Sequence, residues 1–427
     1  MNRRKKVILV NILRQMDELG NYPPLSTAFL KAYCDKHESI NRNYDISLFT
    51  SVCHEYNREE LLQEIKKSKP CVIGLSCYMW NLESYLEALP DIRNAAKDAL
   101  IITGGPEAHP GLLELSAEMD AIAIGEGEYI LKEILESALN GDTWKNARGI
   151  AYRRGGRIVV NPPQEPLANL DDIPSPYKTG ILPATPIMHI EYSRGCTNSC
   201  SYCVAAKAPY RHMSIERIEE EILFCIENRS DIGLFAGSYL NFKNFGVQTL
   251  RLIKKYRDMG HDITISDILT IDSNNDDDEF FGLLDEVVPD KSKFVLGLGI
   301  QSLCPAALKL NRRVTKIESV RNIVAKWRFQ YFIMIILGLP GDNIFTVARA
   351  IAEAAKLDPL YLQMFNLAVI PNTHLFEKKE KFNIDADPMP PHELRSVMEL
   401  SEKDIKKMRL MAKSLSMEFS PPAPIEK

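Results

Sequence analysis

Glu191-Tyr-Ser-Arg-Gly-Cys-Thr-Asn-Ser-Cys-Ser-Tyr-Cys203 is the most informative stretch of the chain. It holds three of the nine cysteines, Cys196, Cys200 and Cys203, spaced Cys-x3-Cys-x2-Cys. The other six, Cys34, Cys53, Cys71, Cys77, Cys225 and Cys304, are scattered without ligand-like spacing. Clustered cysteines in a chain of this length point to metal or redox chemistry rather than to a disulfide scaffold. Three cysteines cannot close a tetrahedral zinc site built from four thiolates, and His212 lies too far downstream for a finger-like spacing. Three thiolates on one loop suit three irons of a cubane cluster, which leaves the fourth iron open. An open metal position is the mark of a catalytic site. A zinc site and three incidental cysteines stand as the alternatives.

The loop follows a candidate strand, Met188–Ser193, and opens an alternating pattern. Further candidate strands are Ile232–Phe235, Asp262–Thr270, Lys293–Ile300, Tyr331–Leu337 and Tyr361–Val369, with helical stretches such as Ile215–Glu227, Val247–Met259 and Ile317–Trp327 between them. Six strand–helix units fit a partial (β/α) barrel. Ser266 and Asp267, polar positions on one of these strands, are candidates for substrate contact at the barrel mouth. A separate helix is expected over His392–Leu415, with Leu394, Met398, Ile405, Met408 and Met411 on its apolar face.

Upstream, about 140 residues also alternate. Strands are expected at Lys6–Asn11, Tyr44–Phe49, Cys71–Ser76, Leu100–Thr103 and Ala121–Ile124, and a helix over Leu82–Lys97 is expected to break at Pro90. Such alternation argues for a parallel sheet covered on both faces, with ligands collecting at the C-terminal strand ends. Between the two regions, Gly149–Arg153 and Arg157–Val160 read as a hairpin, followed by a proline-punctuated connector.

The charge balance, 52 basic against 57 acidic residues in 427, gives a net −5. That does not suit a grip on nucleic-acid phosphates. No apolar run approaches the ~18–20 residues that span a bilayer. The basic start Arg3–Lys6 is followed by too short an apolar run for a signal peptide. A soluble cytoplasmic protein, with neither nucleic-acid nor membrane partners, is the expectation.

The cysteine spacing, with Arg194-Gly195 before it and Tyr202 inside it, resembles the radical S-adenosylmethionine superfamily. Three later segments resemble motifs of that family in the same order: Gly297-Leu-Gly-Ile-Gln-Ser302 leading into Leu308-Lys-Leu-Asn-Arg312, then Leu337-Gly-Leu-Pro-Gly341, then Val369-Ile-Pro-Asn-Thr373. Two departures are visible. Asn372 stands where many relatives have glycine, and Ala236-Gly-Ser-Tyr-Leu-Asn241 replaces a Gly-Gly-Glu or Asp-rich turn. The resemblance implies a 4Fe–4S cluster on Cys196, Cys200 and Cys203, whose open iron chelates S-adenosylmethionine. Reductive cleavage then gives a 5′-deoxyadenosyl radical. It further implies cofactor contacts from Tyr202, Gly237, Ser238, Gly297, Gly299, Gln301, Ser302, Leu339 and Pro340, and an external one-electron reductant of flavodoxin or ferredoxin type.

Upstream, Pro23-Pro-Leu-Ser-Thr-Ala-Phe-Leu30, Ser76-Cys-Tyr-Met-Trp-Asn81, Gly104-Gly-Pro106 and Gly125-Glu-Gly-Glu128 together resemble the cobalamin-binding domain fused ahead of many such enzymes. The resemblance implies cobalamin contacts from Ser76, Tyr78, Trp80, Asn81, Gly104, Gly105, Pro106, Gly125, Glu126 and Gly127. The Asp-x-His-x-x-Gly motif that supplies an imidazole to cobalt elsewhere is absent, and the resemblance implies a lower face left uncoordinated or covered by a bulky side chain, for which Trp80 and Tyr78 are the candidates.

The expected fold is therefore α/β. A Rossmann-like cobalamin-binding-type sheet (1–147) leads through a connector (148–185) to a partial (β/α)6 radical S-adenosylmethionine barrel (186–375) and a helical extension (376–427). The expected function is cobalamin-dependent C-methylation of a small molecule of natural-product type. The alternative is radical chemistry without methyl transfer: rearrangement, dehydration, cyclisation or sulfur insertion.

Overall fold

The computed structural model describes residues 4–14, 23–236, 245–271, 274 and 276–414. The chain divides into two units, Met1–Pro183 and Ala184–Pro424. The first is built on strands β1 (Lys5–Leu13), β2 (Tyr44–Val52), β3 (Val72–Ser76), β4 (Leu100–Gly104), β5 (Ala121–Ala123), β6 (Ile150–Arg154) and β7 (Arg157–Val160), in the order β2-β1-β3-β4-β5-β6-β7. The first five run parallel and the last two antiparallel. Val7, Ile8, Leu9 and Val10 are all buried, so β1 reads as a continuous apolar run, the pattern of a strand covered on both faces. Helices Leu25–Asp35 and Gly127–Leu139 pack on one face around Leu9, Ile46, Ile102, Ile130 and Ile134.

The helix expected to break at Pro90 runs unbroken over Leu82–Ala95. Pro90 lies on its exposed side, where water can satisfy the carbonyl that the missing N–H leaves unpaired. The expected hairpin forms, and it continues the sheet as β6 and β7.

The second unit carries β8 (Ile187–Arg194), β9 (Arg211–His212), β10 (Asp231–Ala236), β11 (Asp267–Ile271), β12 (Phe294–Gln301), β13 (Gln330–Leu337) and β14 (Leu362–Asn366). β8 pairs parallel with β10, and β11 to β14 form a parallel sheet in chain order. A single bridge between Ile232 and Ile265 joins the two sets, flanked by hydrogen bonds from Ile232 N to Thr264 O and from Ser266 N to Ile232 O. Six parallel strands thus make the partial barrel. Helices after the strands start on side-chain caps: Ser214 accepts from Arg217 N, Asp277 from Phe280 N, and Asn343 forms a reciprocal box with Thr346. Each cap fixes a loop at the C-terminal edge of the barrel.

The expected helix over His392–Leu415 is shorter, Glu402–Ser414. Ser401 and Asp404 exchange side-chain bonds with each other's backbone N–H, which sets the start. Leu394 is instead buried on strand β16 (Leu394–Ser396), paired with β15 (Asp385–Ala386), while Met398 turns left-handed (φ 49°) and is exposed. No helix among the described residues is long and apolar enough to cross a membrane.

Candidate cluster and cofactor site

The cysteine loop leaves the C-terminal end of β8. At Gly195 the backbone has φ +77°, and a Cβ there would lie 2.1 Å from the Pro209 carbonyl oxygen. Only glycine fits. The chain returns as β9, which pairs antiparallel with the end of β8, Ser193 opposite His212 and Arg194 opposite Arg211. Arg194 donates from Nε and Nη2 to Glu191 Oε2, bracing the same strand end.

The loop is held from beneath by Asn311, 1% exposed. Ser201 N donates to the Asn311 carbonyl (3.0 Å) and Ser201 Oγ to Asn311 Oδ1 (2.9 Å). Asn311 Nδ2 donates to the carbonyls of Ala307 and Pro340, and Leu375 N donates to the Ser201 carbonyl. One side chain therefore ties the cysteine loop to the segments after β12 and β13. Asn311→Leu strands these partners, so it is expected to lower stability by about 3 kcal/mol. It should also reduce iron retained per chain; thermal melting and iron assay on the same preparation check both.

Each thiol meets an N–H donor. Asn198 N lies 3.4 Å from Cys196 Sγ, and Arg313 Nη1 lies 4.0 Å from Cys200 Sγ. Burial pushes the Cys203 thiol up, while the backbone N–H groups of Ala205 and Ala206 and the Arg313 charge favour its thiolate. None of the three cysteines is in a disulfide. Among the described residues no three His, Cys, Asp or Glu side chains are grouped closely enough to hold a metal ion as they stand. The donor set nevertheless suits an iron–sulfur cluster: three thiols on one braced loop, with N–H groups aimed at sulfur. Cys34, Cys77 and Cys225 are buried, and burial raises each thiol, Cys225 to about 12.

Of the residues expected around S-adenosylmethionine, Gly237 and Ser238 lie outside the described residues, as does Asn241. Tyr202 is half-buried on the loop itself. Gly297 and Gly299 lie on β12, which ends in a bulge between Gly299 and Gln301, with Gln301 left-handed (φ 61°) and buried. A Cβ at Gly297 would meet the Phe332 ring at 2.8 Å and Thr270 Oγ1 at 3.0 Å, so neighbouring strands account for that glycine. Ser302 Oγ donates to Asp342 Oδ1 and accepts from Cys304 N. Leu339 and Pro340 are buried beside the Asn311 anchor. Asn372 takes the left-handed conformation (φ 63°) expected where relatives have glycine.

The residues expected around cobalamin gather at the C-terminal ends of β3, β4 and β5. Ser76 Oγ shares a hydrogen bond with Ser26 Oγ, which accepts from Asn11 Nδ2 at the end of β1. Asn11 Oδ1 and Thr103 Oγ1 are buried there without a partner. Orphaned acceptors near the exposed residues Gly105, Pro106 and Gly125 suit a ligand fringed with amide donors, as a corrin is. Tyr78 and Trp80 stack on each other (4.4 Å, 11°), and Trp80 Nε1 donates to the Ile12 carbonyl. Asn81 is spent on backbone: it accepts from Tyr78 N and donates to the Ile12 and Ser76 carbonyls. Glu126 accepts from Leu167 N, which fastens the connector. A Cβ at Gly127 would lie 2.9 Å from Leu30 Cδ2.

Gly105 also has a structural role in its own turn. With φ +110°, its Cβ would lie 2.5 Å from the Cys77 carbonyl oxygen, so the turn after β3 requires the glycine. Gly105→Ala is therefore expected to lower stability by about 2 kcal/mol or more with or without corrin. Gly104→Ala places its Cβ 3.5 Å from Ala123 Cβ and should melt close to the unaltered protein.

The two substrate candidates on polar strand positions lie away from the mouth. Ser266 precedes β11 at its N-terminal end, and its Oγ donates to Asp231 Oδ2 at the start of β10; Asp267 is the first residue of β11. Conversely, Asn311, Arg313 and Asp342 went unassigned in the sequence. Asn311 falls in the family-like Leu308–Arg312 segment, but nothing in a linear motif marks a buried hub.

Comparison with known proteins agrees with this arrangement. Residues 19–135 match the B12 binding domain family and residues 190–354 the radical SAM superfamily. The chain is 30% identical over 227 residues to the cobalamin-dependent radical SAM methyltransferase TokK of Streptomyces tokunonensis, covering 48% of this chain and 32% of that protein. It thus spans about a third of that relative's length. It is 23% identical over 375 residues to an uncharacterized methyltransferase of Pyrococcus horikoshii, covering 83% of this chain and 78% of the other. Its fold is similar to that of the radical S-adenosylmethionine methyltransferase TsrM from Kitasatospora setae, solved with cobalamin and a 4Fe–4S cluster bound (TM-score 0.71, 16% identity, 91% of this chain and 81% of that one). A radical SAM domain implies a 4Fe–4S cluster and S-adenosylmethionine, and a B12 binding domain implies cobalamin. The chain thus joins a B12 binding domain to a radical S-adenosylmethionine domain.

Proposed function

We propose that the protein is a cobalamin-dependent radical S-adenosylmethionine methyltransferase acting on carbon in a small molecule of natural-product type. The observation that carries this reading is the Cys196–Cys203 loop, with three thiols in no disulfide, each meeting an N–H donor at the C-terminal end of β8, in a chain that also holds a B12 binding domain. When bound, the cluster supplies one-electron cleavage of S-adenosylmethionine and the corrin supplies the methyl group.

Cys196, Cys200 and Cys203 would hold the cluster. Gly195 and Asn311 fix the loop against β9 and the β13 turn, so the thiols are presented from a braced backbone. The half-buried Tyr202, the bulged end of β12 at Gln301 and Ser302, and the segment at Gly237 and Ser238 are proposed to surround S-adenosylmethionine. In the first unit, Ser76, Gly104, Pro106 and Gly125 are proposed to line the corrin, and the stacked Tyr78–Trp80 pair to cover its lower face. The electron is proposed to come from an external flavodoxin- or ferredoxin-type donor. The domain limits 1–147, 148–185, 186–375 and 376–427 are retained as the proposed functional division.

Anaerobic reconstitution with iron and sulfide, followed by absorption spectra with and without hydroxocobalamin, tests the reading. Iron near four per chain and a corrin spectrum that stays with the protein through gel filtration are expected. Iron without corrin would shift the reading to radical chemistry without methyl transfer.

A further inference from the structure

Arg313 is 4% exposed, yet it carries a permanent positive charge. Arg312 before it takes a left-handed turn (φ 52°), and Arg313 N donates to the Leu308 carbonyl, which directs its side chain inward after helix Pro305–Leu310. Nη2 donates to the Gly299 carbonyl at 2.8 Å, just before the β12 bulge, and Nη1 stands 4.0 Å from Cys200 Sγ. The guanidinium therefore links the cysteine loop to the strand end where cofactor contacts are proposed.

We propose that Arg313 is a positioning residue that holds the 4Fe–4S cluster through Cys200 and raises its reduction potential. The proposal rests on the reading that Cys196, Cys200 and Cys203 carry that cluster. Reduction adds one electron from an external donor to the cluster and makes or breaks no bond in the protein. The reduced cluster is more negative by one charge, so a buried cation beside it stabilises that form more than the oxidised one. A buried guanidinium is itself costly unless it meets negative charge, and a thiolate-ligated cluster provides it. The fork geometry also matters, because one arm fixes the Gly299 carbonyl while the other addresses sulfur.

The test is an anaerobic potentiometric titration of reconstituted protein without S-adenosylmethionine, followed by electron paramagnetic resonance, with iron and sulfide counted per chain. R313M and R313Q should show a midpoint more negative by at least a tenfold change in the reduction equilibrium, which is about 59 mV for one electron. R313K, which keeps the charge, should stay nearer the unaltered protein. If both neutral variants fail to retain iron while R313K retains it, the holding role is supported directly. Full iron and an unchanged midpoint in either neutral variant overturn the proposal. Failure of the unaltered protein to take up iron would instead strike the cluster reading, so the two failures are distinguishable.

Discussion

A chain carrying Cys196→Ala, Cys200→Ala and Cys203→Ala together is expected to hold no iron after anaerobic reconstitution, to lack the brown charge-transfer absorption, and to cleave no S-adenosylmethionine. Each thiol supplies one of three attachments and leaves one iron open, so even a single replacement should remove most of the cluster. Cys225→Ala and Cys304→Ala serve as controls. Cys225 is buried with its thiol raised to about 12, and Cys304 Sγ lies 3.5 Å from the Gly341 carbonyl oxygen, so neither is expected to change iron content. Iron and cleavage retained in the triple variant would remove the basis of the proposed function.

The second large effect concerns the balance of products. With its true substrate and excess S-adenosylmethionine, the cobalamin-loaded protein is expected to add one methyl group while 5′-deoxyadenosine and S-adenosylhomocysteine accumulate in about equal amounts. On the proposed reading, one molecule of S-adenosylmethionine is consumed to abstract hydrogen and another as the methyl source. Protein reconstituted with cluster but without cobalamin should lose methyl transfer entirely and keep some cleavage to 5′-deoxyadenosine. Chromatography of all three products from one quenched reaction measures this. Turnover of the real substrate that yields 5′-deoxyadenosine and no S-adenosylhomocysteine would exclude methyl transfer.

The parallel architecture was legible because period and burial agree along most strands. β1 and β13 are buried through most of their length, and their apolar runs mark them as covered strands before any contact is known. The cysteine loop was legible because ligand chemistry demands a short spacing, and a spacing survives in one dimension. Pro90 was misread because the penalty for proline in a helix depends on which side of the helix it faces, and that is set by packing. Leu394 and Met398 were misread as a helical face because apolar residues four apart also fit a strand followed by a turn. Glycine was the subtler case. At Gly105 and Gly297 a side chain would meet the backbone at Cys77 and the ring of Phe332, contacts that no linear motif displays. Arg313 looked like one more basic residue, since burial of a charge is a tertiary fact.

The Asn311 anchor bears on the order in which the molecule can be made. Ser201 is gripped by a residue 110 positions later, and Leu375, later still, closes on the same residue. Contacts that distant form only once the intervening chain has been synthesised and folded. While a ribosome is still producing the barrel, the cysteine loop has emerged but lacks its support. Iron delivered at that stage would meet three unbraced thiols, open to oxidation and mispairing. Stable cluster insertion is therefore expected only after the segment through Leu375 has folded onto the loop.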